Sequence, residues 1–189
     1  MAKYHIYTDG SSRGNPGPGG WGTIVMNEDE TEIIDIINGT AAHTTNNQME
    51  LTAMICALEY AESSPRDIFI IYSDSAYVVN SCNQWIANWA ANGWRNSKKK
   101  PIENLEQMRA IHKYLSRDFF NAEVKKCAGH AGIAGNELAD AAATGAWAHL
   151  DALVEMYELH NLPAENAEVH FSRDEYLALM KAEIAMKND

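Results

Sequence analysis

Residues 67–74, DIFIIYSD, form a short apolar run between turn-forming residues. A run of this kind is typical of a β-strand that is buried on both faces, and such a strand needs a packed layer on each side of its sheet. The chain has 189 residues, of which 46% are hydrophobic, so it has the material for a sizeable core. We therefore expect one α/β domain of about 150 residues with a smaller appendage.

Four other segments are predicted to be strands. KYHIYTD, WGTIVMN and TEIIDIING precede the apolar run, and the polar turn EDE between the second and third indicates a hairpin meander. NAEVKKCAG is predicted to be the last strand.

Four segments are predicted to be helices. NNQMELTAMICALEYAESS repeats apolar residues at helical spacing and is stopped by Pro65. Residues 75–91 and the amphipathic PIENLEQMRAIHKYLSRD follow, and GNELADAAATGAWAHL is the last, with Asn136 as its predicted N-cap. The order βββαβααβα implies a mixed sheet with helices on its faces, which is an α/β fold.

Residues 150–189 are predicted to form a separate, acidic and helical extension. They carry nine acidic and three basic side chains, a net charge of −6, whereas residues 1–149 carry seventeen and twelve, a net charge of −5. Ser172 and Glu175 form a capping box ahead of apolar residues at helical spacing. The extension could pack on the first domain, pair with another subunit or bind a partner protein.

Several classes of protein are disfavoured. No stretch approaches about 18 uninterrupted apolar residues, so no contact with a membrane is expected. The start MAKYHIYTDG lacks the apolar segment of a signal peptide. Cys56, Cys82 and Cys127 are odd in number and lack C-x-x-C spacing. We therefore expect a cytoplasmic protein with reduced thiols and with neither disulfides nor a zinc site.

The glycine-rich stretch YTDGSSRGNPGPGGWG contains the pattern G-x-G-x-x-G at residues 17–22. In a dinucleotide-binding unit a helix opens at these glycines, but here the apolar, β-favouring WGTIVMN follows. The motifs that accompany a glycine-rich loop in protein kinases do not occur in the sequence. The pattern therefore does not indicate a nucleotide site.

Four carboxylates are candidates for a metal site. Asp9 and Asp74 each end a predicted strand, where α/β sheets commonly build a site, while Glu50 opens a helix and Asp140 lies early in the last one. Carboxylates that are brought together repel one another and collect hard cations, and two such ions can activate water and support the leaving oxygen of a phosphodiester. Each acid also has an ordinary interpretation as a turn, cap or surface residue, and spacing alone does not bring the four together.

Five motifs in order resemble those of type 1 bacterial ribonuclease H. They are YTDGSSRGNPGPGGWG, TTNNQMELTAMICALE, YSDSAYV, QWIANWAANGWR and GHAGIAGNELADAAA, and the resemblance extends from about Lys3 to Ala148. It implies a ribonuclease H-like fold, a five-stranded mixed sheet of strand order 3-2-1-4-5 flanked by helices, in a catalytic domain of residues 1–149. It also implies an endonuclease, dependent on Mg²⁺ with Mn²⁺ as a substitute, that hydrolyses the RNA strand of RNA–DNA hybrids and leaves 5′-phosphate and 3′-hydroxyl ends.

The resemblance assigns roles to individual residues. Asp9, Glu50, Asp74 and Asp140 match the metal-binding catalytic carboxylates, with two ions expected when substrate is bound. His130 matches a histidine that assists proton transfer or product departure. Residues expected to bind the hybrid are polar, aromatic or basic: Ser12, Asn15, Thr45, Asn46, Asn47, Trp85, Trp89 and Lys99. For the two tryptophans, core packing is the alternative interpretation.

The chain departs from the family pattern where it would contact phosphates. WRNSKKKP resembles the family's basic protrusion, but Ala90, Ala91 and Asn92 stand where several bacterial relatives have Lys or Arg. Fewer phosphate contacts should weaken hybrid binding and flatten its dependence on salt. The net charge of −11 does not argue against a nucleic-acid partner, because a few acids acting as metal ligands would leave the first domain nearly neutral.

The sequence therefore predicts a monomeric, cytoplasmic ribonuclease H that removes RNA primers and R-loops. A related metal-dependent nuclease with broader substrate choice is one alternative. A hybrid-binding adaptor that uses residues 150–189 is another, although a pure binder has no need to gather four repelling carboxylates.

Overall fold

Five strands form a mixed sheet in the part of the chain that the computed structural model describes, residues 1–118 and 120–145. The strands are β1 (Lys3–Ser12), β2 (Gly17–Met26), β3 (Ile33–Thr44), β4 (Ile68–Ser73) and β5 (Ala122–Lys126). Their order is β3-β2-β1-β4-β5, which confirms the predicted sheet.

The described helices follow the strands in the predicted order. They are α1 (Asn46–Ser63), α2 (Ala76–Asn80), α3 (Ile86–Ala91), α4 (Leu105–Leu115) and α5, of which residues 134–145 are described. A π-helical turn (Ser81–Trp85) joins α2 to α3, so three pieces make up the helical segment predicted over residues 75–91.

Strand β1 is central because it pairs in antiparallel orientation with β2 and in parallel orientation with β4. Thr8 of β1 is paired with Ser73 of β4, so the next residues, Asp9 and Asp74, come at neighbouring positions of one edge. Asp9 does not end its strand as expected, since β1 continues to Ser12 and pairs Asp9 with Gly22. The continuation follows from the hairpin, which keeps β1 and β2 paired through the glycine-rich residues.

One face of the sheet carries the larger part of the core. Helix α1 covers this face and α4 packs on α1, and the apolar side chains of both helices join those of the central strands in one buried cluster. Its fully buried members include Ile6, Leu51, Phe69, Ile71 and Met108.

In the part of the chain that the structure describes, the opposite face is covered less completely, so the expectation that β4 is buried on both faces is wrong for one of them. Phe69, Ile71 and Ser73 are buried, whereas Ile70 and Tyr72 between them are only half-buried. The reason is the position of α5, whose small residues pack on the β1 and β2 side of this face.

Two other sequence expectations concern the C-terminal part of the chain. Asn136 does not cap α5, because helical residues begin at position 134 and its buried side chain accepts a hydrogen bond from the thiol of Cys127 at 3.5 Å. The extension predicted at residues 150–189 lies outside the described residues, and the boundary at 149/150 stays a prediction. Among the described helices, none combines the length and the apolar character that crossing a membrane would require.

Candidate active site

Three of the four predicted carboxylates converge at one edge of the sheet. Asp9 lies on β1, Asp74 directly follows β4, and Glu50 lies near the start of α1. One oxygen of each carboxylate lies within 4.8 Å of an oxygen of each of the other two. We refer to Asp9, Glu50 and Asp74 as the carboxylate cluster.

The start of α1 is fixed by its N-cap. The side chain of Thr45 accepts a hydrogen bond from the backbone N–H of Gln48, and the Gln48 side chain accepts one from the Thr45 backbone N–H at 3.0 Å. This reciprocal capping box satisfies two backbone donors that a helix start otherwise leaves free. It sets the residue at which α1 begins and therefore the direction in which Glu50 points.

Gly10 allows α1 to approach β1 closely. A Cβ at Gly10 would overlap the backbone nitrogen of Glu50 and the backbone carbonyl carbon of Met49. A glycine is therefore required if the carboxylates of Asp9 and Glu50 are to meet.

Burial and mutual repulsion raise the pKa values of both Asp9 and Glu50. Burial and then the charges of Asp9 and Asp74 raise the pKa of Glu50 from 4.5 to about 10. Burial and the charge of Asp74 likewise raise the pKa of Asp9 from 3.8 to about 7, although the Gly10 N–H donates to its Oδ1 at 2.8 Å and opposes the rise. Without a bound cation, the cluster therefore holds protons at neutral pH.

The cluster fits a hard divalent cation. Oε2 of Glu50 is buried and has no hydrogen-bond partner among the described residues. An unpaired buried acceptor costs about 1–3 kcal/mol. A cation that displaces the protons would satisfy this oxygen and remove the repulsion. All the donors are carboxylate oxygens, which favour Mg²⁺ or Mn²⁺ over the softer Zn²⁺.

Asp140 lies near the cluster but is not one of the three mutually close acids. It is half-buried on α5, and its negative charge contributes to the raised pKa of both Asp9 and Glu50. Helix α5 reaches this position because Gly22, paired with Asp9, leaves room for Ala142. The structure thus brings the fourth predicted acid within electrostatic reach of the cluster.

His130 lies in the loop that follows β5. It is exposed and has a positive φ of 53°. Within the described ranges, no hydrogen bond or ion pair joins it to the carboxylates. Gly129 before it packs directly on Asp74, since a Cβ there would lie 2.6 Å from Oδ2.

The polar residues predicted to bind substrate lie in two adjoining segments. Oδ1 of Asn15 accepts a hydrogen bond from the backbone N–H of Asn46 at 3.0 Å, which ties the glycine-rich turn to the start of α1. Asn46 and Asn47 are exposed, while Thr45 uses its hydroxyl in the helix cap. Ser12 donates its hydroxyl to the carbonyl of Gly14 at 2.7 Å.

The two tryptophans differ in their surroundings. Their ring centroids are 5.8 Å apart, and Trp85 also contacts the ring of Tyr77 at 6.2 Å. Trp89 packs against the main core, which supports the packing interpretation for this residue, whereas Trp85 is half-buried and is not part of that core.

The segment 95–100 is an exposed basic loop. Lys98, Lys99 and Lys100 are exposed, and Lys99 has a positive φ of 59°. The guanidinium of Arg95 donates to the Lys99 carbonyl at 2.7 Å, so it holds the loop in shape. The loop leaves the three lysine side chains at the surface.

Two residues of the site were missed by the sequence reasoning. Gln48 stands three positions after Thr45, and this T-x-x-Q spacing is the signature of a capping box. Gln107 of α4 hydrogen-bonds to α1, and no local pattern marks it because the contact spans 59 residues.

Comparison with known proteins agrees with this geometry. The family model described as RNase H matches residues 1–148. The chain belongs to the ribonuclease H family. It is 42% identical over 144 residues to the ribonuclease H of Ruthia magnifica subsp. Calyptogena magnifica, covering 76% of this chain and 94% of the relative.

Solved structures give the same fold. The crystal structure of LC9-RNase H1, a type 1 RNase H, is 30% identical with a TM-score of 0.63, and the match covers 79% of this chain and 74% of that one. The foamy viral protease–reverse transcriptase in complex with RNA/DNA hybrid is 23% identical with a TM-score of 0.64. That match covers 77% of this chain but 20% of the viral chain, and it concerns the fold alone.

Membership of the ribonuclease H family makes the protein an enzyme, a hydrolase of the nuclease class. The family's activity is endonucleolytic cleavage of RNA in RNA–DNA hybrids, and it depends on divalent metal. The carboxylate cluster is a group of acidic residues that could hold such a metal.

Proposed function

We propose that this ribonuclease H hydrolyses the RNA strand of RNA–DNA hybrids with two Mg²⁺ ions and leaves 5′-phosphate and 3′-hydroxyl ends. One observation carries the proposal: three carboxylates meet within 4.8 Å, and the buried Oε2 of Glu50 among them has no partner in the described part of the chain. A cytoplasmic location belongs to the same proposal.

The residues that would hold the metal are Asp9, Glu50, Asp74 and Asp140, with the first three supplying the closest set of oxygens. Bound there, Mg²⁺ would lower the pKa of a water and neutralise the charge that develops on the leaving 3′ oxygen. Asp9 and Glu50 are the buried members of the set, whereas Asp74 is only half-buried.

His130 is proposed to move protons to or from the reacting groups or to help the product leave. Its exposure and its place one residue after Gly129, which contacts Asp74, support this role. An imidazole is suited to it because one ring nitrogen can donate a proton while the other accepts one.

The hybrid is proposed to lie across the polar segments beside the cluster. Asn15, Asn46 and Asn47 offer amides that donate and accept hydrogen bonds, as recognition of a 2′-hydroxyl requires. Residues proposed to contact the DNA strand or its phosphates are Ser12, Thr45, Trp85, Trp89 and Lys99. The hydrogen bond between Asn15 and Asn46 supports this assignment, because it joins the two segments into one surface.

The catalytic domain is proposed to comprise residues 1–149, with residues 150–189 as an acidic extension that packs on it, pairs subunits or binds a partner. Two other functions stay open as outcomes of the test below. A nuclease with broader substrate choice would also cut duplex RNA, and a hybrid-binding adaptor would bind hybrid without cutting it.

The test is to incubate the protein with end-labelled hybrid, duplex DNA and duplex RNA, with Mg²⁺ and with a chelator. Of the three substrates, we expect only the hybrid to be cut, in its RNA strand, and only when Mg²⁺ is present. Asp74→Asn should abolish cleavage, while Asp29→Asn, at an exposed position of the turn before β3, is the matched control and should cleave normally. Binding of hybrid without cleavage by the unaltered protein would overturn the proposed function.

A further inference from the structure

The starts of α1 and α4 are joined by the side-chain amide of Gln107. Its Nε2 donates to the backbone carbonyl of Gln48 at 2.9 Å and to the hydroxyl of Thr52 at 2.9 Å. The Thr52 hydroxyl in turn donates to the same Gln48 carbonyl at 2.7 Å. Both N–H hydrogens of the Gln107 side chain are thus used. Because the backbone carbonyl of Gln48 can only accept a hydrogen bond, the nitrogen end of the Gln107 amide must face α1.

The bridge reaches the helix turn that holds the proposed substrate surface. Gln48 accepts from Gln107 through its backbone and from the Thr45 N–H through its side chain, as part of the capping box. Asn46 and Asn47 lie between Thr45 and Gln48 in the chain. A chain of hydrogen bonds therefore runs from α4 to the residues that are proposed to face the hybrid.

The same bridge lies on the side of α1 away from the carboxylate cluster. Successive residues of a helix turn by about 100°, so Gln48 and Thr52 share one side and Glu50 lies on the opposite one. The capping box and Gly10 already fix the position of Glu50. Loss of the bridge should therefore disturb the exposed start of α1 more than the carboxylate cluster.

The basic loop directly precedes helix α4. Its base is closed by Trp94, whose carbonyl accepts from the Ile102 N–H at 3.1 Å, and residues 102–104 lead from there into α4. The proposed hybrid-binding groups thus lie on two separate elements, the start of α1 and the loop before α4. Contact with one duplex by both requires a fixed spacing between them.

We propose that Gln107 is a positioning residue for substrate: its amide sets the start of α1 against the start of α4, and so aligns Asn46 and Asn47 with the basic loop for one hybrid. The proposal rests on the proposed function, since it concerns binding of the same substrate. Gln107 itself does not take part in the chemical step.

Tyr114→Phe offers a matched control. The Tyr114 hydroxyl donates to Glu59 at 3.0 Å and so forms another side-chain bridge between α4 and α1, near their distant ends. Each variant, Gln107→Leu or Tyr114→Phe, keeps most of the side-chain volume and breaks a bridge between the same two helices. A purely structural role would give similar effects in both.

The experiment measures KM and kcat for hybrid cleavage, together with backbone amide exchange of residues 46–50, in the full-length protein and both variants. Gln107→Leu should raise KM about threefold to tenfold, as expected for the loss of a half-buried hydrogen-bonded link, with kcat within about twofold. It should also speed exchange at residues 46–50. Tyr114→Phe should change none of these.

Two results would overturn the inference: an unchanged KM in Gln107→Leu, or equal changes in both variants. If the unaltered protein neither binds nor cleaves hybrid, the proposed function fails. The exchange measurement then still decides whether Gln107 holds the start of α1, because it needs no substrate.

Discussion

Gly10 and Glu50 are in backbone contact, so that a side chain at residue 10 would occupy the place of the Glu50 nitrogen. No rotamer change can relieve this overlap, because the obstructing atoms are backbone atoms. We predict that Gly10→Ala displaces the start of α1, destabilises the fold by about 1–3 kcal/mol and lowers kcat by about 100-fold. Thermal denaturation and hybrid cleavage measure the two effects.

Gly39→Ala is the control for this variant. A Cβ at Gly39 would lie 2.7 Å from the indole nitrogen of Trp21, so it disturbs packing against a side chain on β2. We expect a loss of stability but normal kcat at temperatures where the protein is folded. Equal kcat in the two glycine variants would contradict the importance of the Gly10 contact.

Gly129→Ala should act on the site with little effect on the fold. A Cβ there would lie 2.6 Å from Oδ2 of Asp74, and this half-buried side chain can move aside. We predict a kcat reduced about tenfold to 100-fold and a nearly unchanged melting temperature. Ala128→Ser, at the exposed neighbouring position, should leave kcat unchanged. If Gly129→Ala cleaves hybrid at the rate of the unaltered protein, cleavage does not depend on the present position of the Asp74 carboxylate.

The metal-free protein should lose stability as the pH rises. The pKa of Asp9 is about 7 in the folded state against an ordinary 3.8, so the folded protein keeps a proton that the unfolded chain releases. Stability from this group is therefore complete below about pH 4 and is lost towards pH 7. For Glu50 the loss of stability starts above about pH 4.5 and continues to about pH 10, because its pKa is raised from 4.5 to about 10.

Melting temperatures measured between pH 4.5 and 8.5 in the presence of a chelator test whether stability falls as the pH rises. Asp9→Asn should flatten the decline, because an amide does not titrate, while the exposed Asp29→Asn should not change it. Mg²⁺ should raise the melting temperature most at high pH, since the carboxylates must lose their protons to bind it. A metal-free protein whose stability rises over this range would contradict the account.

The resemblance of the sequence to a known family predicted the sheet order and placed Asp9 and Asp74 in one site, whereas the spacing of these residues alone did not bring them together. The sequence did not predict how deeply Glu50 is buried, which depends on contact between α1 and Gly10 across the sheet. The cap assigned to Asn136 was wrong, since a short polar residue before a helical pattern does not reveal that the helix starts two residues earlier. The bridge from Gln107 is a long-range contact that periodicity cannot indicate.

The basic loop should set affinity and its dependence on salt. We predict that Lys99→Ala raises KM and lowers the slope of log affinity against log salt by up to about 1, the change expected for one lost phosphate contact. The opposite change, Ala91→Lys at an exposed position at the end of α3, should tighten binding and steepen the slope. Lys113→Ala, at the other end of α4, is the control for a lost charge. Identical salt slopes in all these variants would show that the loop does not contact phosphates.

The central claim is that the carboxylate cluster holds the metal for hydrolysis of hybrid RNA. The most direct measurement follows the cleavage of end-labelled hybrid as Mg²⁺ is titrated into chelated protein, and it determines the chemical ends of the products. The comparison is the variant with Asp9→Asn, Glu50→Gln and Asp74→Asn together, which keeps the side-chain sizes. The account predicts no cleavage without Mg²⁺, cleavage that rises with Mg²⁺ to 5′-phosphate and 3′-hydroxyl ends, and none by the folded triple variant. Cleavage in the chelator, or by that variant, would contradict it.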